Sequence, residues 1–204
     1  TLKYGSGVPF YRIEKLQESL GVPLPTSTQW DITENAANLI HPAYRELIRQ
    51  AAQGNVIHND DTPMKILELV KEVNEKPTRT GMFTTGMMSI VEDRKIALFF
   101  TGQKHAGENM TDLLKQRQAE LDPPIQMCDA LSRNASKEFE TILANCLAHG
   151  RRNFVDVAAN FPEEVAHVID QIALVYRNDE ITKQQNLSPR ERLLFHQRES
   201  APVM

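Results

Sequence analysis

Two short apolar runs, far apart in the chain, each end in an acid: Asn55-Val56-Ile57-His58-Asn59-Asp60-Asp61-Thr62 and Pro123-Pro124-Ile125-Gln126-Met127-Cys128-Asp129. Runs of this length, bounded by turn residues, read as strands. What lies between them restricts the topology. Met82–Val91 and Lys95–Thr101 are further strand candidates, joined by Glu92-Asp93-Arg94 as a hairpin. Ala106–Leu121 sets Met110, Leu113, Leu114 and Leu121 on one side of a helix, which Pro123-Pro124 breaks. Three strands, a helix, a strand and a helix predict an antiparallel meander, then a crossover helix that delivers a strand parallel to the first.

That order matches the start of a ribonuclease H-like core, so the fold class expected is α/β (mixed α+β). The first and fourth strands are then parallel neighbours, and their chain-end residues Asp60 and Asp129 lie side by side. Two such carboxylates can share divalent metal. Two metal ions about 3.5–4 Å apart activate the attacking oxygen and stabilise the leaving oxygen of a phosphodiester. Mg²⁺ suits such a site, because it takes few protein carboxylates and keeps waters and phosphate oxygens. An Asp at a strand end also serves as a turn or cap residue. For either acid alone that is the commoner role, and only the pair at the two predicted places speaks for a site. Asp61 is the rival to Asp60. Successive strand residues face opposite sides, so one of the two points at the shared site, and Asp61 can instead cap the turn at Thr62-Pro63. His58 shares a face with Asp60 and alone reads as a packed or solvated histidine.

Residues 136–204 read as helical throughout. Phe139, Ile142, Leu143, Cys146, Leu147, Phe154 and Ala158 form one apolar stripe, and Val165, Val168, Ile169, Ile172 and Tyr176 form another after Pro162. Ser188-Pro189-Arg190-Glu191 is a capping box with Pro at the first helical position. Cys146 and His149 lie one helical turn apart. As a zinc site they are half complete, since a structural zinc needs four ligands. A buried structural role suits Cys146, and His149 at the stripe's edge can reach a polar group or a phosphate. Arg151 and Arg152 with Arg133 and Lys137 form a basic cluster near Asp129. It reads either as a solvated helix face or as a contact to nucleic-acid backbone phosphates.

The front of the chain, residues 1–54, reads as helical. Phe10, Ile13, Leu16 and Leu20 mark one apolar face, Gly21 stops that helix, and Val22-Pro23-Leu24-Pro25 is a rigid connector. Thr26 with Gln29 resembles a capping box. Ala36, Ile40, Ala43, Leu47 and Ala51 then follow at helical spacing up to Gly54. Helix, short turn, helix outlines a helix-turn-helix, although most helical hairpins bind no DNA. The expected divisions are 1–54, a core at 55–154 and a helical segment at 155–204.

Net charge is -4 and the pI near 5.9, which counts against a nucleic-acid binder overall. Acidic sites lower net charge, however, and DNA contacts can come from local patches. The two Cys lie in unrelated settings, which implies no disulfide framework and a reducing cytoplasm. No apolar run of about 18 residues marks a membrane span, and there is no Walker motif or dinucleotide fingerprint. Opening on Thr1 and stopping at Met204, the chain reads as an excerpt of something longer.

At these residues the chain resembles bacterial transposases of the insertion-sequence-66 family. The matching pieces are Tyr4-Gly5-x-Gly7-x-Pro9-Phe10-Tyr11-Arg12, Asp60-Asp61-Thr62-Pro63 where the family usually has Asp-Glu-Thr, Phe99-Phe100-Thr101, Gln126-Met127-Cys128-Asp129 and Cys146-Leu147-Ala148-His149-Gly150-Arg151-Arg152-x-Phe154. The resemblance implies a DDE-type enzyme using Mg²⁺ or Mn²⁺, with Asp60 and Asp129 as the first two metal-binding acids. It implies element ends and target DNA as partners, a homo-oligomer in the DNA complex, and a bacterial, nucleoid-associated location. Cys146 and His149 match a Cys-x-x-His element, residues 155–204 an insertion before the catalytic Glu, and the front helices a helix-turn-helix-like segment. The Glu belongs to an Asn-Asn-x-x-Glu-Arg motif that this sequence does not reach, and Glu138, Glu163, Glu164 and Glu191 lack that context.

Three functions compete on this reading. One is a piece of an enzyme that hydrolyses a phosphodiester at an element end and transfers the freed strand to target DNA. Another is a catalytically inactive truncated remnant that binds DNA or partner subunits. The third, disfavoured, is a stand-alone metal-dependent nuclease.

Overall fold

The computed structural model describes residues 2–64 and 81–204. A five-stranded mixed sheet organises them, in the order β3-β2-β1-β4-β5. Its strands are β1 (Val56–Pro63), β2 (Phe83–Val91), β3 (Arg94–Gly102), β4 (Ile125–Cys128) and β5 (Ile142–Asn145). β2 pairs antiparallel with both β1 and β3, while β4 runs parallel to both β1 and β5. Around them lie α1 (Leu2–Gly5), α2 (Phe10–Ser19), α3 (Thr26–Ala51), α4 (Ala106–Leu114), α5 (Leu147–Asp156), α6 (Pro162–Gln184) and α7 (Pro189–Glu199).

The core fills one face of the sheet. Ile57, Met87, Ile96 and Leu98 point to it and meet Met110, Leu113 and Leu114 of α4 and Ala51 and Ala52 at the end of α3. Close approach of α3 is fixed at Gly54 and Ser89: the Ser89 hydroxyl donates to the Ala51 carbonyl at 2.6 Å, and a Cβ on Gly54 would lie 2.0 Å from the Ser89 Oγ. Arg117, just after α4, donates from Nη1 to the carbonyls of Ala52 and Gly54, both at 2.8 Å, and so satisfies the C-terminal end of α3. Period-2 alternation puts His58, Met88, Ala97 and Met127 on the opposite face.

Several local expectations need correction. The stretch after Asp129 is not one long helix. Ile142–Asn145 forms β5, pairing along β4 from Ile125↔Ile142 to Cys128↔Asn145, and helix resumes only at Leu147. A four-residue apolar run satisfies either period, and the hydrogen-bonding edge of β4 decides for strand. The stripe proposed through Ile142, Leu143 and Phe154 therefore does not exist, and α5 buries none of its residues. α4 ends at Leu114, short of the predicted Leu121. Thr26 is the first helical residue of α3 and not its cap; Gln29 instead turns back to donate to the Leu24 carbonyl at 2.8 Å.

Other signals took the form their chemistry demands. Gly21 adopts φ +74 and closes α2 through Gly21 N–H to Glu18 O and Val22 N–H to Gln17 O. Ser188 and Glu191 form the reciprocal cap of α7. The stripe expected along α3 is out of phase, however: Ala36, Ile40, Ala43 and Leu47 are exposed, only Ala51 of that set is buried, and Tyr44 and Ile48 pack on the core instead.

Candidate acidic site at the strand ends

The register of β1 against β4 runs Val56↔Ile125, Ile57↔Gln126, His58↔Met127. Carried on by two rows, it sets Asp60 beside Asp129, one residue past the end of β4. Cys146 is likewise one residue past β5, and its N–H donates to the Cys128 carbonyl at 2.7 Å. Asp129 and Cys146 therefore lie just past the carboxyl ends of β4 and β5, whereas β1 does not end at its acid as expected: it runs on to Pro63, and Asp60 sits where its parallel pairing with β4 gives out. Asp60, Asp129 and Cys146 line one cleft of about 360 Å³, together with His58, Met88, Met127 and His149.

The two neighbouring aspartates separate by strand alternation. Asp60 keeps an exposed carboxylate, whose Oδ1 accepts from the Asp61 N–H at 2.9 Å. Asp61 turns to the other face, with a side chain only 3 % exposed. It accepts from Thr85 Oγ1 at 2.6 Å and from the Ala106 N–H at 2.9 Å, and lies 3.3 Å from His105 Nδ1. An anion at the N-terminus of α4 is favoured by the helix dipole. Asp61 thus docks α4 and not the Thr62-Pro63 turn.

Asp129 is half-buried, and its Oδ1 accepts from the Leu131 N–H at 3.3 Å and from the side-chain amide of Asn134. His149, in the first turn of α5, brings Nε2 to 3.8 Å from Asp60 Oδ2; its Nδ1 is buried without a partner among the described residues. Burial pushes the Cys128 thiol up, and the negative charges of Asp129 and Asp60 act in the same direction. Other polar groups of the cleft are the carboxylates of Asp60 and Asp129, the His149 imidazole and the Cys146 sulfur. Cys146 is half-buried at the N-terminal boundary of α5 and offers no second pair for a tetrahedral zinc. Among the described residues no group of three or more His, Cys, Asp or Glu is placed to hold a metal ion.

The basic residues divide. Arg151 and Arg152 are exposed on α5, in the same helix as His149. Arg133 and Lys137 line a different cleft, of about 410 Å³, beside α4 with Lys104, His105 and Lys115. There Arg133 lies 6.0 Å from the Phe83 ring, on the core side of the sheet. The sequence reading missed a buried polar set behind Asp129: Asn59, Gln126 and Asn134. Its signal was the placing of Asn59 and Gln126 in phase with the core residue Ile57, which pairs with Gln126.

Fold and site together define a mixed α/β protein with an acidic cleft where the parallel pairing of β1 and β4 ends. A family model described as "Transposase IS66 family" matches residues 1–204, and the chain belongs to that family of transposases. No curated protein matches it. Among the described residues, no helix is long and apolar enough to cross a membrane.

Proposed function

We propose that this chain carries the first two acids of a DDE-type transposase on a ribonuclease H-like core. The observation that carries the reading is the register that brings Asp60 and Asp129, 69 positions apart, to one cleft. The strand order, with an antiparallel meander beside two parallel strands, supports the core assignment. The donor set fits Mg²⁺ or Mn²⁺, because two carboxylates with free oxygens are hard ligands for hard cations. Bound there, the metal would activate the attacking oxygen and stabilise the leaving oxygen of a DNA phosphodiester.

The chain's own residues hold and orient. Asp60 and Asp129 supply the carboxylates, and His149 places a donor beside Asp60. Arg151 and Arg152 face the solvent to meet backbone phosphates, which fixes DNA without reading its sequence. Arg133 and Lys137 would contact DNA only along the α4 side. Cys146 and His149 shape the start of α5, α1–α3 act as the helix-turn-helix-like segment, and residues 155–204 are the helical insertion. DNA ends and target DNA are the partners, in a homo-oligomeric complex in the bacterial cytoplasm at the nucleoid.

The test is Mg²⁺-dependent cleavage of element ends by the complete gene product. Asp60→Ala and Asp129→Ala should each abolish it, and unchanged cleavage by either variant would sink the assignment. A second reading, a catalytically inactive DNA- or subunit-binding module, is favoured by the lack of a three-residue ligand cluster among the described residues. It expects DNA binding that Asp60→Ala leaves intact and no cleavage in any variant.

A further inference from the structure

We infer that Asn134 is a positioning residue that aims the Asp129 carboxylate at the bound metal, an inference that rests on the metal-site reading above. Asn134 closes a short 3₁₀ turn, Ser132–Asn134, immediately after β4. It is 1 % exposed, and its Nδ2 donates to Asp129 Oδ1. The Leu131 N–H converges on the same oxygen at 3.3 Å. Both bonds therefore occupy Oδ1 and leave Oδ2 as the oxygen available to a ligand.

What holds Asn134 is as specific as what it holds. Its backbone carbonyl accepts from Asn59 Nδ2 at 2.9 Å and from Gln126 Nε2 at 2.7 Å. Gln126 Nε2 also donates to Asn59 Oδ1 at 2.9 Å, and Gln126 Oε1 accepts from Thr141 Oγ1 at 3.1 Å. The set links the inward faces of β1 and β4, the two strands that deliver Asp60 and Asp129. The backbone of Asn134, and with it the base from which the side-chain amide reaches Asp129, is thus tied to those two strands. Its Oδ1 is buried with no partner among the described residues. A buried amide satisfied only at its donor end is rare and asks for a reason. The reason here is the carboxylate that its donor end serves.

Mn²⁺ binding, followed by electron paramagnetic resonance, tests this in the protein and in Asp129→Ala, Asn134→Leu and the double variant. Removing the hydrogen bond that supports a metal ligand costs about 10- to 100-fold in affinity. Asn134→Leu keeps the branched heavy-atom shape while removing the donor, should weaken Mn²⁺ by about tenfold or more, and should add nothing in the Asp129→Ala background. A purely structural Asn134 would lower stability and leave Mn²⁺ affinity where it was, which overturns the inference. Should Asn134→Leu not fold, the wild type decides: one Asn134 side-chain amide proton should resonate downfield and move back in Asp129→Ala. An ordinary resonance, indifferent to Asp129→Ala, also overturns it. If Asp129→Ala itself retains full Mn²⁺ affinity, the metal-site reading has failed instead, and that affinity tells the two failures apart.

Discussion

Gly107→Ala is a severe test of how the acidic cleft is supported. Gly107 is the second residue of α4, and the turn that carries Asn134 lies directly against it. A Cβ there would sit 2.3 Å from the Ala135 carbonyl oxygen and 2.6 Å from that of Arg133, where ordinary contact begins at 3.4 Å. Both obstacles are backbone, so no side chain can swing aside. The 133–135 segment would have to retreat by about 1 Å, and overpacking of this kind costs about 1–3 kcal/mol. Alanine's better helix propensity returns at most about 1 kcal/mol. A net loss of about 1–2 kcal/mol lowers the urea midpoint by about 0.5 M with an unchanged slope. Equilibrium urea unfolding followed by circular dichroism measures both. Because the displaced carbonyls flank Asn134, Mn²⁺ affinity should fall with stability. A Gly107→Ala protein as stable as the wild type would refute the close-approach argument.

Two further outcomes follow from the ion pairs. Asp61→Ala removes the acceptor for Thr85 and for the Ala106 N–H beneath α4, and should cost about 2–4 kcal/mol in thermal unfolding; a loss under about 1 kcal/mol would show that this carboxylate does not dock the helix. Hydrogen bonds from Lys183 and Arg192 hold the Asp179 carboxyl down at about 2. A folded-state value below the unfolded one gives stability that is present above about pH 4 and lost as pH falls towards 2. With partial solvent screening it amounts to about 1–2 kcal/mol. Asp179→Asn should be less stable at neutral pH and flatter between pH 4 and 2; parallel pH profiles of midpoint for the two proteins would contradict it.

The strands that carry the acids were legible from their core-facing phase, although β1 runs three residues past the acid expected to end it. Ile57 faces inward, Asp60 outward, and Pro124 announces β4. Asp61 could be set against Asp60 by alternation alone, but its destination, the N-terminus of α4, depends on where the crossover helix lands. β5 was illegible for a related reason: Ile142-Leu143-Ala144 has no period of its own, and the neighbouring edge of β4 makes it a strand. The same local blindness merged Arg133 and Lys137 with Arg151 and Arg152. Nearness in sequence placed them together, but Arg133 and Lys137 line the cleft beside α4 while Arg151 and Arg152 stand exposed on α5, beyond the intervening strand. Asn134 was missed because an asparagine in a turn usually serves its own backbone.

α3 has a mechanical consequence. Its 26 residues span about 39 Å at 1.5 Å per residue. One end is locked into the sheet by Ala51, Ser89 and Arg117, while the other carries α2 through the edge-on contact of Phe10 with Trp30. The position of α2 is thus gauged from the acidic cleft by a stiff strut. A tilt of about 5° at the anchored end moves the far end by about 3 Å, and one inserted residue turns it by about 100°. Pro42 lies within the helix and removes one of its N–H donors, which makes it the point where such a strut would bend first.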